Sequence, residues 1–167
     1  MTRSAIGSAA ALTGLGLPLL LLLGGCSGNR PDDFTLKQAP PQILSVDISP
    51  PGLSKGDLTF FEARLSRDGK DAGHVLGELT TIGLPGDSGR SDAEKVNRTE
   101  LSFRLPEGLI LAAGFTEVAP QDWKIKARQP SQRVILGGTG RYAGVRGVLS
   151  TVRLEDSSFE HQFQFRD

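Results

Sequence analysis

Apolar and polar residues alternate with a period of two along most of the chain after Gly56, and this pattern limits what the chain can fold into. In the clearest example Leu101, Phe103 and Leu105 alternate with charged or hydroxyl residues, and Pro106-Glu107-Gly108 supplies a tight turn into a second alternating run. Alternation of this kind places side chains on opposite faces of a strand. No stretch shows the apolar stripe of an amphipathic helix. The pattern therefore predicts an all-β domain.

Eight alternating runs are expected to form strands. They are Leu58–Leu65, His74–Ile82, Leu101–Leu105, Leu109–Phe115, Trp123–Ala127, Val134–Leu136, Val145–Leu154 and Phe159–Phe165. Eight short strands in about 110 residues favour a sandwich or an up-and-down barrel. The last run carries three phenylalanines on one face and would be an unsuitable edge strand. Closing the sheet into a barrel leaves no free edge. We therefore predict an eight-stranded antiparallel β-barrel, which encloses either packed side chains or one small ligand.

The first 25 residues have the features of an export signal. Arg3 is followed by an apolar run from Ala5 to Leu23, and Gly24-Gly25 precedes Cys26, the only cysteine of the chain. A transmembrane helix is the alternative, since about 20 apolar residues span a bilayer, but interruption by glycine and proline fits it poorly. We expect residues 1–25 to be a lipoprotein signal peptide. Cys26 is then the acylated N-terminus of an extracytoplasmic protein, lipid-anchored to the bacterial cell membrane or outer membrane.

Residues 26–54 are rich in proline, glycine and aspartate, which predicts an extended, flexible tether between the lipid and a barrel at 55–167. The segment Ile43–Ile48 is strand-like and would alternatively pair onto the barrel; the sequence leaves this open. Lys and Arg number 19 against 19 Asp and Glu, so no nucleic-acid partner or polybasic membrane patch is expected. The expected partners are the membrane, through lipid on Cys26, and a small apolar ligand.

A glycine-rich segment near the C-terminus is the most distinctive motif. Gly138-Thr139-Gly140 followed by Ala143 matches a dinucleotide-binding fingerprint in letters, but that fingerprint needs a helix behind it. The following run, Val145–Leu154, alternates like a strand instead. The glycines are therefore expected to form a tight strand-to-strand crossover that requires positive φ and close backbone approach. They are Gly137, Gly138, Gly140 and Gly147.

This motif resembles the hallmark of the allene oxide cyclase and dirigent barrel-like proteins: a strand, Gly137-Gly138-Thr139-Gly140, an aromatic residue and Val145-Arg146-Gly147. Weaker similarities to that family's first two strands and central hairpin occur at Gly56–Phe60, Gly73–Gly77 and Leu105–Ile110. The resemblance covers about Gly56 to the C-terminus. It implies an eight-stranded antiparallel barrel with an apolar cavity. Family members carry out stereocontrolled cyclisation or radical coupling without a metal or organic cofactor.

Two strongly polar side chains in the last two strands are candidates for chemistry. Arg146 alternates with Val148 and Val152 and matches the arginine of the family motif. It is expected either to direct a cation at a ligand's carboxylate or carbonyl, or to pair with a structural acid. His161 lies among the phenylalanines of the last strand, where a neutral imidazole either acts near pH 7 or is a hydrogen-bonded core residue.

Four further candidates are less specific. Glu62 and Glu78 each alternate with apolar residues and are either buried acids with raised pKa or part of the outer face. Tyr142 takes the place of the motif's aromatic residue and is expected to plug one barrel end or to donate a hydrogen bond to a ligand. Trp123 is expected in the core or the cavity wall. No cluster with metal-ligand spacing is found, so no metal is expected, and the family resemblance implies that no organic cofactor is needed either.

These observations lead to three functional hypotheses. The first is a lipid-anchored barrel at the cell envelope that binds a small apolar or amphipathic ligand. The second is a cofactor-free cyclase or isomerase that acts in the same lumen, with Arg146, His161, Glu62 and Glu78 as candidate catalytic residues. The third is a structural or interaction barrel with a filled lumen. The volume of the lumen separates the third hypothesis from the first two.

Overall fold

A computed structural model describes residues 30–48, 50–87, 95–118 and 125–166, in which the chain forms nine β-strands. The strands are β1 (Phe34–Gln38), β2 (Gln42–Val46), β3 (Leu58–Arg67), β4 (Lys70–Gly83), β5 (Lys95–Leu105), β6 (Gly108–Val118), β7 (Ser131–Gly138), β8 (Arg146–Arg153) and β9 (Phe159–Arg166). A short 3₁₀ turn at Gly140–Tyr142 lies between β7 and β8. Within these ranges, no helix has the length and apolar character needed to cross a bilayer.

Eight of the strands close into an antiparallel barrel, which confirms the predicted fold. Neighbours follow the order β1-β9-β8-β7-β6-β5-β4-β3, and β1 closes the ring by pairing Gln38 with Leu65 of β3. The ninth strand, β2, continues along the same edge of β3 from Gln42 to Val46. Because β9 pairs with β1 and not with β2, the wall opens between β2 and β9.

The structure corrects the expected domain boundary at residue 55. Strand β1 lies inside the predicted tether, yet its Leu36 is only 1% exposed. Strand β2 resolves the open alternative, since most of the strand-like segment at 43–48 pairs with β3. Pro40 and Pro41 interrupt the edge between the two strands, and this interruption gave the segment its linker-like composition.

One predicted strand is replaced by another. The described part of the run Trp123–Ala127 forms only an isolated bridge between Ala127 and Arg153. The eighth strand of the barrel is therefore β1. The prediction of eight barrel strands is confirmed, but one of the eight predicted runs is not a barrel strand and β2 is an additional strand outside the ring.

Aromatic and aliphatic side chains fill one end of the barrel. Phe34 stacks on Phe163 with ring centroids 4.6 Å apart, and Phe103 meets Phe163 edge-on at 4.9 Å. Tyr142 is buried beside Phe34 and covers this end. The residues with fully buried side chains that complete it are Leu36, Leu65, Val75, Ile110, Leu149 and Phe165. We refer to this part of the barrel as the closed end.

The glycine motif packs the β7–β8 crossover against the β5–β6 hairpin at the closed end. Gly140 has a φ of +61°, and a Cβ there would collide with the carbonyl oxygen of Glu107. Thr139 exchanges backbone hydrogen bonds with this hairpin, donating its N–H to the carbonyl of Leu109 at 2.9 Å. Its hydroxyl accepts the Leu109 N–H at 3.2 Å. These contacts require a small residue at position 140.

Candidate functional site

The other half of the barrel interior is a cavity of about 300 Å³. It lies at the end where β5, β7 and β9 begin, and the gap between β2 and β9 borders it. Its walls near the mouth are mostly apolar. They include Pro40, Pro41, Ile43, Phe61, Leu79, Val118, Ile125 and Phe159. The lumen is therefore not filled by side chains, which argues against the purely structural hypothesis.

A polar belt separates this cavity from the apolar closed end. It consists of Gln38, Thr99, Thr116, Arg133, Thr151 and His161, which are all buried and all line the cavity. These residues come from β1 and from β5 to β9, at the positions where inward-facing apolar residues give way to polar ones. Buried polar groups are stable only with hydrogen-bond partners. The belt accordingly forms two short networks.

His161 is the centre of the first network. Its Nδ1 lies 3.0 Å from the Thr151 hydroxyl, and its Nε2 lies 2.8 Å from Oε1 of Gln38. The amide oxygen of Gln38 only accepts hydrogen bonds, so Nε2 carries the proton and Nδ1 accepts from Thr151. Burial, together with the nearby charge of Arg133, lowers the pKa of His161 to about 3. The imidazole is therefore neutral near pH 7.

Arg133 is the centre of the second network. Its Nη2 donates to the Thr116 hydroxyl at 2.5 Å, and Thr116 shares a 2.7 Å hydrogen bond with Thr99. Its Nη1 donates to the Ser131 hydroxyl at 3.1 Å. Within the described residues, Nε of Arg133 has no hydrogen-bond partner. Burial lowers the pKa of Arg133 to about 10, so the side chain is still cationic near pH 7.

The structure places Arg146 outside the cavity, so the alternative in which it directs a cation at a ligand in the lumen is wrong. Its side chain is on the outer surface, where Nη1 donates to the carbonyl of Val145 at 2.8 Å. Leu149 and Thr151 are the buried residues of β8, so the alternating row of Arg146 faces outward. The arginine of this strand that lines the cavity is Arg153.

Neither candidate glutamate faces the cavity. Glu62 is exposed on the outer face of β3, with Oε1 3.4 Å from Nδ1 of His74. Glu78 is half-buried on the outer face of β4 and lies opposite Glu100 of β5. Side chains alternate between the two faces of each strand, and the inward positions are those next to the glutamates, such as Ala63 beside Glu62. Both glutamates therefore face outward. Of the two alternatives that the sequence leaves open for these glutamates, the outer-face position is therefore the one observed, and neither is a buried acid of the lumen.

The remaining candidates divide between the two ends of the barrel and the undescribed residues. His161 lines the cavity as its alternation indicated. Tyr142 lies at the closed end, with its hydroxyl 3.5 Å from Oε2 of Glu107, and so does not reach the cavity. Trp123 and Cys26 lie outside the described residues. No group of three or more His, Cys, Asp or Glu side chains comes together in the described ranges.

Sequence reasoning missed most of the polar belt. Arg133 alternates with Ile135, which is buried, but in the sequence Val134 and Leu136 form the more evident apolar row of the same strand, and both are exposed. Gln38 fell within the predicted tether. The sequence does contain one signal for the belt, because small polar residues occupy the same alternating positions of a strand as buried apolar residues. Thr99 and Leu101 of β5 are an example.

The interior of an eight-stranded barrel is either filled by side chains or wide enough for one small ligand, and the lumen of this barrel is only partly filled. Residues 40–163 match the allene oxide cyclase barrel-like domain, and the chain belongs to that family. This confirms the resemblance of the glycine motif.

Solved structures share the fold at low sequence identity. Pyocyanin demethylase superposes with a TM-score of 0.63 at 24% identity, covering 81% of this chain and 100% of that chain. A nonspecific heme-binding cyclase that catalyses a cycloaddition during neoabyssomicin biosynthesis gives 0.60 at 18% identity, covering 83% and 66%. The Diels Alderase AbmU from Streptomyces koyangensis gives 0.60 at 19% identity, covering 84% and 71%. A search of curated proteins finds no match.

Proposed function

We propose that this barrel binds one small, mostly apolar molecule in its lumen. The observation that carries the proposal is the half-open interior, a cavity of about 300 Å³ with apolar walls above a belt of polar groups. Ligand pockets of small molecules have volumes from about 300 Å³ upward and combine apolar walls with a few placed polar groups. The gap between β2 and β9 provides a way in.

Titration with the neutral fluorescent probe N-phenyl-1-naphthylamine tests this function. Leu79→Trp should weaken the saturable fluorescence increase, because Leu79 lines the cavity and a larger side chain would occupy part of its volume. Leu76→Trp on the outer face of the same strand is the matched control and should bind the probe like the wild type. Equal binding by wild type and Leu79→Trp would show that the probe does not occupy the lumen.

We further propose that the barrel is attached to the cell envelope through lipid on Cys26. The support is the sequence alone, where small residues precede the only cysteine after an apolar run. Wild-type protein should fractionate with membranes and carry an acylated Cys26 in mass spectrometry. Cys26→Ala should give an unprocessed precursor. A wild-type protein with an intact Met1 would contradict the anchor.

The second candidate function is a cofactor-free cyclase or isomerase in the same lumen. The observation that favours it is a buried cationic donor, Arg133, in an apolar cavity, where such a donor polarises a carbonyl effectively. Two structures with this fold are described as a cyclase and a Diels Alderase.

Mass spectrometry and chromatography on a diene tethered to an unsaturated ketone, and on an unsaturated fatty-acid epoxide, test it. A catalyst would give an isomer of unchanged mass, more slowly in Arg133→Met. A molecule that only binds would return both compounds unchanged.

A further inference from the structure

Arg133 is a buried cation without an anionic partner among the residues that the structure describes. It is 4% exposed, and both of its hydrogen bonds go to neutral hydroxyls, those of Thr116 and Ser131. A guanidinium carries five N–H donors, and these bonds use two of them. Arginine is almost never fully buried unless it is paired. The side chain therefore lines the cavity with an uncompensated charge and keeps N–H donors that these two hydrogen bonds do not use.

The other groups around the cavity do not compensate this charge. Among the residues that line it, all in the described part of the chain, there is no Asp or Glu. The remaining charged lining residues, Lys95 and Arg153, are also cationic. Lys95 has Asp57 as an electrostatic partner, and Arg153 donates to the Ser157 hydroxyl at 3.1 Å. Arg133 is thus the deepest positive charge in a lumen whose lining has no negative one.

The position of Arg133 also determines how a ligand with one charged end would be oriented in the cavity. It lies in the polar belt at the cavity floor, whereas the apolar lining residues Val118 and Phe159 are nearer the ends of their strands at the mouth. Gly114, opposite Arg133 on β6, leaves room for the arginine stem, because a Cβ there would lie 2.9 Å from its Cγ. A ligand with one charged end would be accommodated with that end at the floor and its apolar body toward the mouth.

We propose that Arg133 binds the oxyanion of an amphipathic ligand, a carboxylate held by a charge-assisted hydrogen bond from its guanidinium group, with the apolar part of the ligand against the walls at the mouth. This rests on the proposed function of the lumen as a small-molecule site. It goes further by assigning the chemical class of the ligand and the residue that selects it.

Calorimetric titration of the full chain with 2-naphthoate and with its uncharged analogue 2-naphthamide tests the assignment. We expect the wild type to bind naphthoate at least about tenfold more tightly than naphthamide, because a charge-assisted hydrogen bond to a buried cation gives this much discrimination. Arg133→Met should lose that preference while it retains the affinity for naphthamide. Arg98→Met, on the exposed face of β5, removes a cation outside the lumen and should keep the preference.

Each outcome of this comparison is informative. If the wild type binds N-phenyl-1-naphthylamine but prefers naphthamide or shows no preference, the oxyanion site is wrong and the apolar lumen remains. If 2-naphthoate, 2-naphthamide and the neutral probe all fail to bind, the proposed function itself is wrong, and the oxyanion site is wrong with it. A preference that survives in Arg133→Met would assign the anion to another cation. The wild-type comparison holds even if the variant fails to fold.

Discussion

We expect the buried charge of Arg133 to favour the binding of an anionic ligand and, at the same time, to lower the stability of the folded barrel. A buried charge without a counterion destabilises the folded state, and a well-packed apolar replacement removes this cost. We expect Arg133→Met to raise the free energy of unfolding by about 1 to 2 kcal/mol, since the gain is partly offset by two lost hydrogen bonds. Urea unfolding of both proteins measures this. A less stable variant would show that the hydrogen bonds to Thr116 and Ser131 outweigh the charge.

His161 makes stability depend on pH in a defined window. Its pKa falls from 6.5 to about 3 on folding, so the unfolded chain binds the proton more readily. The stability from the neutral imidazole is complete above pH 6.5 and is lost as pH falls toward 3. Between pH 7 and pH 5 the loss should be about 2 kcal/mol.

Urea unfolding of His161→Gln and His74→Gln at several pH values checks this assignment. His161→Gln should remove most of the slope between pH 7 and pH 5. His74→Gln changes an exposed histidine and should retain it. A wild-type free energy of unfolding that is flat over this window would mean that His161 is protonated at little cost in the folded state.

Among the strands, β1 is the one whose importance is least evident from the sequence. Its Leu36 is 1% exposed in the core, whereas Leu44 of β2 is 63% exposed. Leu36→Ala should therefore lower the free energy of unfolding by about 2 to 4 kcal/mol, the range for a buried leucine. Leu44→Ala should change it by no more than about 0.5 kcal/mol. Equal effects in urea unfolding would show that β1 is not part of the folded barrel.

Two glycines of the β7–β8 crossover allow backbone strain to be distinguished from steric collision when alanine replaces them. Gly140 and Gly144 both have positive φ, but only at Gly140 would a Cβ collide with backbone of the β5–β6 hairpin. Gly144→Ala should cost about 1 kcal/mol from backbone strain alone. Gly140→Ala should cost more than about 2 kcal/mol, because the hairpin must also move. Similar melting temperatures of the two variants would show that the crossover does not pack tightly there.

The sequence predicts the strands well, but it predicts poorly which side chains face the interior of the barrel, and the reason is physical. Alternation identifies a strand, but it identifies the buried face only where the other face is polar. On β9 the phenylalanines define the face of His161 unambiguously. On β6 both faces are apolar, and the row that includes Phe115, which is 63% exposed, faces outward.

Long-range pairing was the other feature that the sequence did not contain. Gln38 meets His161 across 123 residues, and neither residue indicates the other in the sequence. The polar belt depends on such contacts between distant strands. Its position could therefore be assigned only from the barrel register.

The barrel as a whole has two different ends, and the chain enters at the closed one. Phe34 begins β1 among the aromatic residues there, and the carboxylate of Asp33 accepts the backbone N–H of Phe165 at 2.9 Å. The cavity lies at the other end of β1, beyond Gln38. If Cys26 is acylated, residues 27–33 alone connect it to the barrel, and they span at most about 25 Å. The closed end should then face the membrane and the cavity mouth should face away from it.

Single cysteines at the two ends test this orientation on the lipid-anchored protein. Ala143→Cys places a thiol on the exposed crossover at the closed end, and Glu155→Cys places one on the exposed β8–β9 turn near the mouth. An acylated Cys26 would leave each variant with one thiol for a fluorescent label. In liposomes with spin-labelled headgroups, the label at position 143 should be quenched more strongly, because it lies nearer the lipid surface. Stronger quenching at position 155 would invert the orientation and place the cavity mouth, with its gap between β2 and β9, against the membrane.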